Sequence, residues 1–224
     1  EHGIGIPNKA ITIQGAIDRN GSPTATIHAQ QNGRVFDIVS GAGPSTVIRD
    51  LIIRGGDISA NGGAYGGGMR IRNSDPTVIN CHFLNNRAQT GGGGISIWNS
   101  VALIENCLIE GNIASSGGGI YCLGACSQGI PSITTNPTIR GCMIRSNRTT
   151  GIQTTTGHGL AIFSKNTAKP SIINCTIENN TMAVSRAAIT CWASEPDIEG
   201  CIIRHNQDAG VAVRQTQGSG YECY

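Results

Sequence analysis

The chain is poor in the materials that large globular cores are usually made from. Of its 224 residues only 4% are aromatic and 13% charged, the latter about half the ~25% of an ordinary domain. A core built here must be filled by Ile, Val, Leu and Cys. No segment keeps a 3.6-residue apolar period for three turns, which excludes a helical bundle. No apolar run approaches the roughly 20 residues of a membrane-spanning helix. Lys and Arg are scattered around a net charge of +2, which points away from nucleic acid and from membrane insertion.

The chemistry of common active sites is also sparse. Asp18, Asp37, Asp50, Asp57, Asp75, Asp197 and Asp208 are dispersed and never adjacent. Asp75 and Asp197 fall beside equivalent prolines four repeats apart, about 19 Å at the spacing of stacked strands. Glycosidic hydrolysis needs two carboxylates within roughly 5–10 Å. No Gly-x-Ser-x-Gly elbow, phosphate loop or paired-histidine metal motif is present, and no CxxC or His-Cys spacing suits zinc. The reading is therefore of a chain without cofactor, metal or catalytic residues.

What is abundant is glycine, with 32 residues, and cysteine, with nine. Five of the cysteines occupy one position of a repeat. One copy reads Pro76-Thr-Val-Ile-Asn-Cys81-His-Phe-Leu-Asn-Asn86; the others are centred on Cys107, Cys142, Cys175 and Cys201, at spacings of 26, 35, 33 and 26 residues. Periods of this size mean stacked repeats. Three residues before each cysteine stand Val78, Ile104, Ile139, Ile172 and Ile198; two after it, Phe83, Ile109, Ile144, Ile177 and Ile203. Position plus three is mostly charged: Leu84, Glu110, Arg145, Glu178 and Arg204. Strand alternation turns the first two sets inward and the third outward. Parallel, in-register stacking then makes columns of alternating sign, Glu110 to Arg204 and Glu105 beside Arg140. The asparagine ending each copy (Asn86, Asn112, Asn147, Asn180, Asn206) is expected to form an asparagine ladder at a bend. The five cysteines read as a column of buried thiols.

A second signature follows each copy, a run of small residues leading into a strand: Gly66 to Ile71, Gly92 to Ile97, Gly117 to Cys122, Gly157 to Ile162, Arg186 to Cys191 and Asp208 to Val213. Ahead of the copies, three alternating runs near Ile11, Ile27 and Val35 make a first coil. Ser45 to Gly55 reads as a degenerate copy with Asp50 at the cysteine position, Gly55 at the asparagine position, and Val47 and Ile52 inward. The organisation is one all-β domain over 1–224, with an N-terminal coil over 1–43, repeats over 44–214 and a tail over 215–224. It holds about six to seven coils of three short strands each. Leu123 to Asn136 and Arg148 to Thr156 read as surface loops.

The repeated Pro-x-Ile-x-Asn-Cys-x-Ile-x-x-Asn and Gly-Gly-Gly-Ile units resemble the right-handed parallel β-helix repeats of secreted bacterial surface proteins. They are similar too to repeats of chlamydial polymorphic outer-membrane proteins. The resemblance covers roughly Ser45 to Val213. It implies a single-stranded right-handed parallel β-helix, a solenoid, and an extracellular or cell-surface structural or adhesive role. The wider fold also hosts polysaccharide-degrading enzymes, so a polysaccharide-binding or lyase/hydrolase-like role is the alternative. Gly157-His158-Gly159 matches a polygalacturonase triplet whose partner motifs are missing, and it reads as a corner.

Three further expectations concern contacts. The residue ending each small-residue strand (Arg72, Trp98, Leu123, Phe163, Trp192, Arg214) is outward by alternation and carries both tryptophans. Trp98, Phe163 and Trp192 are therefore the candidate contact stripe, for a glycan, another subunit or the chain's own loops. Cys122, Cys126 and Cys223 lie off the thiol column and are candidates for a disulfide or an intermolecular bridge. Open solenoid ends favour homo-oligomers by end-to-end stacking, up to filaments. Asn20, Asn147, Asn174 and Asn179 head Asn-x-Ser/Thr patterns.

Overall fold

The computed structural model describes residues 3–39, 41–60, 64–124, 135–151, 159–182, 187–207 and 210–214. Cys126, Cys223, His158, most of the two loops and the tail lie outside the described residues. Among the described residues there is no helix, and the strands form four stacked sheets of seven, seven, five and eight members. Sheet I runs from Thr12–Gln14 to Asp197–Glu199, sheet II from Ala25–His28 to Ile202–Arg204, sheet III from Asp57–Ile58 to Thr181–Met182, and sheet IV from Ile4–Ile6 to Val211–Arg214. Neighbouring strands within each sheet come from successive turns of the chain and pair in parallel. This is a parallel β-helix of seven coils.

Coil 3 shows how the sequence makes one turn. Its strands are Thr77–Ile79, His82–Leu84, Arg87–Ala88 and Ile95–Trp98. The corners fall at Asn80, Asn85 and Asn99, with φ of 48°, 52° and 49°. Asparagine and glycine tolerate this left-handed conformation, which most side chains resist. The corner before each cysteine position is accordingly Asp50, Asn80, Asn106, Gly141, Asn174 or Gly200, all at φ of 48–62°. The two-residue strands of sheet III, as in Arg87–Ala88, are a fourth side in coils 2 to 6. Three strands per coil therefore undercounts them, because a two-residue segment is too short for alternation to register.

The inward columns pack a continuous core. Val78, Ile104, Ile139 and Ile172 from sheet I meet Phe83, Ile109, Ile144 and Ile177 from sheet II, all fully buried. Cys81, Cys107, Cys142 and Cys175 are buried at the corner between those sheets, and Cys201 is partly buried. Each thiol lies 3.3–3.8 Å from a backbone carbonyl of the preceding coil, for instance Cys175 Sγ to Ile139 O and Cys201 Sγ to Ile172 O. A small apolar side chain with a weak donor suits a corner that leaves carbonyls underused.

Coil 2 corrects the sequence register by one residue. Val47, Ile48 and Arg49 pair with Thr77, Val78 and Ile79. Leu51, not Asp50, therefore stands at the cysteine position, Gly56 replaces Gly55 at the asparagine position, and Ile48 and Ile53 rather than Val47 and Ile52 are the fully buried pair. A slip of one inverts every side chain in a strand. Asp50 instead takes the corner position of Asn80. There Gln14 Nε2, Asn80 Nδ2 and Arg49 Nε donate to it at 3.1, 2.7 and 2.8 Å, tying coils 1, 2 and 3 together. Burial opposes ionisation of Asp50, but these hydrogen bonds outweigh it and hold the carboxyl below its ordinary value.

Two kinds of column fix the register. Glu105–Arg140, Glu110–Arg145 and Glu178–Arg204 are ion pairs at 2.7, 3.0 and 2.8 Å between stacked strands. Inside the coil, the side-chain amides of Asn86, Asn112, Asn147, Asn180 and Asn206 bond in sequence. Each Nδ2 donates to the next Oδ1 at 2.9–3.1 Å. The same oxygens accept the backbone N–H of the preceding asparagine, and each Nδ2 also reaches a carbonyl one coil back. Asn147 is fully buried in this column, so its Asn-x-Thr pattern is closed to glycosylation in the folded chain.

The two columns differ in weight. Exposed ion pairs contribute about 0–1 kcal/mol, whereas each buried polar group left without a partner costs about 1–3 kcal/mol. Urea unfolding of Asn147→Ala is expected to lose about 3 kcal/mol or more, because Asn112, Asn180 and Ile109 each lose a partner. Glu178→Ala should lose less than about 1 kcal/mol.

Candidate functional site

Sheet IV carries the outward side chains that distinguish one coil from another. Its inward positions are Met69 and Ile71, Ile95 and Ile97, Ile120 and Cys122, Ile162 and Ser164, Ile189 and Cys191, all buried. Two outward rows alternate with them. In the first row Asp37, Arg70, Ser96, Tyr121, Phe163 and Thr190 are stacked neighbours. The second row is Val39, Arg72, Trp98, Leu123, Lys165 and Trp192.

Of the three candidate stripe residues, the structure brings two into one row. Trp98 and Trp192 share the second row and are half-buried. Phe163 does not belong to it, since it pairs with Tyr121 and Thr190 in the first row and is only 3% exposed. Lys165 holds the place between Leu123 and Trp192. The reason is a two-residue shift in coil 5: Gly159, Leu160 and Ala161, not Gly157 to Gly159, accept the hydrogen bonds of Gly117, Gly118 and Gly119. The corner slot of coil 5 therefore begins at Gly159. A signal for the correct register was present, because an asparagine at positive φ follows the second-row residue in Arg72-Asn73, Trp98-Asn99 and Lys165-Asn166.

The first row is built rather than open. Arg70 Nε and Nη2 donate to the two oxygens of Asp37, both at 2.7 Å. Arg34, itself buried, places Nη1 3.6 Å from Asp37 and donates to the carbonyls of Tyr65 and Gly66. A carboxylate held by two guanidinium groups is a fixed structural anion. Further along, the rings of Tyr65, Tyr121 and Phe163 stack with centroids 5.4 Å apart at each step. Gly91 makes room for them, since a Cβ there would stand 2.6 Å from the Tyr121 ring.

Between the rows lies a cavity of ≈ 180 Å³, bounded by Arg70, Ser96 and Tyr121 on one side and Arg72, Trp98 and Leu123 on the other, with Tyr65 at its edge. The Arg72 guanidinium sits 4.5 Å from the centroid of the Trp98 ring, a cation–π contact. Among the described residues Asp37 is the one carboxylate on the strands of this face, and no group of three or more His, Cys, Asp or Glu converges to hold a metal ion. The arrangement can bind; among the described residues it offers no free acid–base pair.

Cys81, Cys122 and Cys191 are buried and poor nucleophiles. Cys122 faces the core, stacked between Ile97 and Ser164, with its thiol free, so it cannot bridge to another chain. Burial pushes its pKa up, and pushes Cys81 and Cys191 up to about 12. A thiol that stays protonated at neutral pH is inert.

A family described as the right-handed beta helix region matches residues 24–169 and 132–221, which together span most of the chain and the coils traced above. The chain belongs to the right-handed β-helix family. No match was found among curated proteins or among solved structures. In this β-helix the family match covers the coils that carry both outward rows.

The corrected rows make a direct contrast. Phe163→Ala should lower stability by about 3–5 kcal/mol, as for a buried aromatic, and Trp192→Ala by about 1 kcal/mol or less. Thermal unfolding of the two variants side by side checks the assignment.

Proposed function

We propose that this β-helix works outside the cell as a non-enzymatic structural or adhesive module, and that its contact surface is the second outward row of sheet IV. The observation that carries the reading is the half-buried Trp98 and Trp192 standing in one row with Arg72 and Lys165 on a rigid sheet. Tryptophans presented side-on by a fixed scaffold suit sugar rings or another protein surface, because they bury large area at small entropic cost. The engagement of Asp37 by Arg34 and Arg70 supports binding over hydrolysis or lyase chemistry. A glycan array is the test. Ligands retained by the wild-type chain and lost in Trp98→Ala and Trp192→Ala would support the reading. Release of reducing sugar or unsaturated uronide from any retained glycan would favour the polysaccharide-degrading alternative instead.

End-to-end association is a second part of the proposal. Among the described residues each sheet ends in a strand paired on one side only, and Ile4, Ile202 and Val211 near those ends are 42%, 55% and 41% exposed. Such edges invite further strands. Light scattering after size-exclusion chromatography should show mass rising with concentration; a constant monomer mass would sink this part.

A further inference from the structure

The second row of sheet IV repeats itself. Read along the helix axis it runs Arg72, Trp98, Leu123, Lys165, Trp192, one residue per coil. A cation followed by a tryptophan occurs twice, and the second unit stands three strand spacings from the first, about 14 Å. The cations of this row, like Arg54, Arg87 and Arg148 on other sheets, stand outside the ion pairs that join stacked coils among the described residues, but these two alternate with tryptophans. Arg140, Arg145, Arg204, Arg70 and Lys169 are each paired with a carboxylate. Arg72 contacts only the Trp98 ring, and Lys165 has no ion pair or side-chain hydrogen bond among the described residues. In a molecule that neutralises so many charges between coils, these two remain available for charge from outside.

We infer that the row is an axial binding track for an acidic polysaccharide, with two subsites of the same sequence, Arg72–Trp98 and Lys165–Trp192, each taking a sugar ring that bears an anionic group. The inference rests on the reading of this row as the contact surface and names its ligand. The tryptophans offer apolar area to the ring, and the cations offer charge-assisted hydrogen bonds to a carboxylate or sulfate. Leu123 separates the subsites with an apolar step. A polymer with regularly spaced anions engages both subsites at once, and the second contact is then intramolecular and strengthens the first. The ≈ 180 Å³ cavity beside Arg72 and Trp98 gives the first subsite depth for a ring substituent.

Binding to alginate, to a sulfated chondroitin, to neutral dextran and to a single-stranded oligonucleotide is measured by affinity electrophoresis at low and high salt. The expected result is retention by at least one acidic polysaccharide, weakened by salt, with little on dextran; retention on alginate shows that carboxylates suffice, and retention on sulfated chondroitin without alginate points to sulfate. Arg72→Gln and Lys165→Gln should each weaken retention about tenfold or more, as for loss of one charge-assisted contact, and the double variant further. Arg72→Lys and Lys165→Arg should keep most of it, and Arg54→Gln, an exposed cation on sheet II, should leave it unchanged. Retention on dextran that is lost in Trp192→Ala but indifferent to Arg72→Gln overturns the acidic ligand and leaves the contact surface standing. Retention of no polymer at all overturns the polysaccharide track, while a contact surface for another protein is judged separately by its own binding. Stronger binding of the oligonucleotide than of either acidic polysaccharide overturns the ligand class.

Discussion

Parallel strands cannot be joined by a tight turn, so a chain that stacks them must travel round a full coil and return exactly one strand spacing further on. Everything in this molecule depends on that return. The corners at Asn80, Asn85 and Asn99 and their counterparts accept left-handed backbone, which lets short strands of three or four residues change direction without long loops. Once the return is in register, the same residue type recurs beside itself, and the isoleucine, thiol, amide and charge columns follow from a single geometric condition.

The columns divide the task of holding register. The apolar columns supply the bulk of the stabilisation, each buried Ile contributing about 1.5–3 kcal/mol by transfer from water, but a greasy column tolerates sliding by two residues, which keeps the same face inward. The amides do not, because Asn112 must meet Asn86 on one side and Asn147 on the other. The ion pairs at the surface add little energy and act mainly against wrong pairings.

Most of this was legible in the sequence where the pattern was dense. The five cysteine-centred copies announced their inward and outward faces, and the pairings of Glu110 with Arg145 and of Glu178 with Arg204 could be written down from spacing. Legibility failed where anchors were missing. Coil 2 lacks both cysteine and asparagine, so Asp50 was placed one residue out. Coil 5 lacks the triple glycine, and the small residues Gly159 and Ala161 that replace it were passed over in favour of Gly157 to Gly159. The second error had a functional cost, since it exchanged a buried Phe163 for an available Lys165. Asp37 with Arg70, and Tyr65 with Tyr121, were invisible because they meet across coils with no repeated spacing to announce them.

The amide column has a direction. From Asn86 to Asn180 each asparagine passes its backbone N–H and one amide N–H forward to the next Oδ1, beginning with Gly56 N–H on Asn86 and ending at Asn206. The dipoles of these side chains therefore add along the axis, and neighbouring bonds polarise one another. The two ends of the column are chemically unlike, one finishing in an acceptor filled by Gly56 N–H and the other in the backbone N–H of Asn206. A segment that prolongs the stack beyond Asn206 must bring an acceptor to that point, and a coil laid on upside down cannot. The molecule is an arrow rather than a rod.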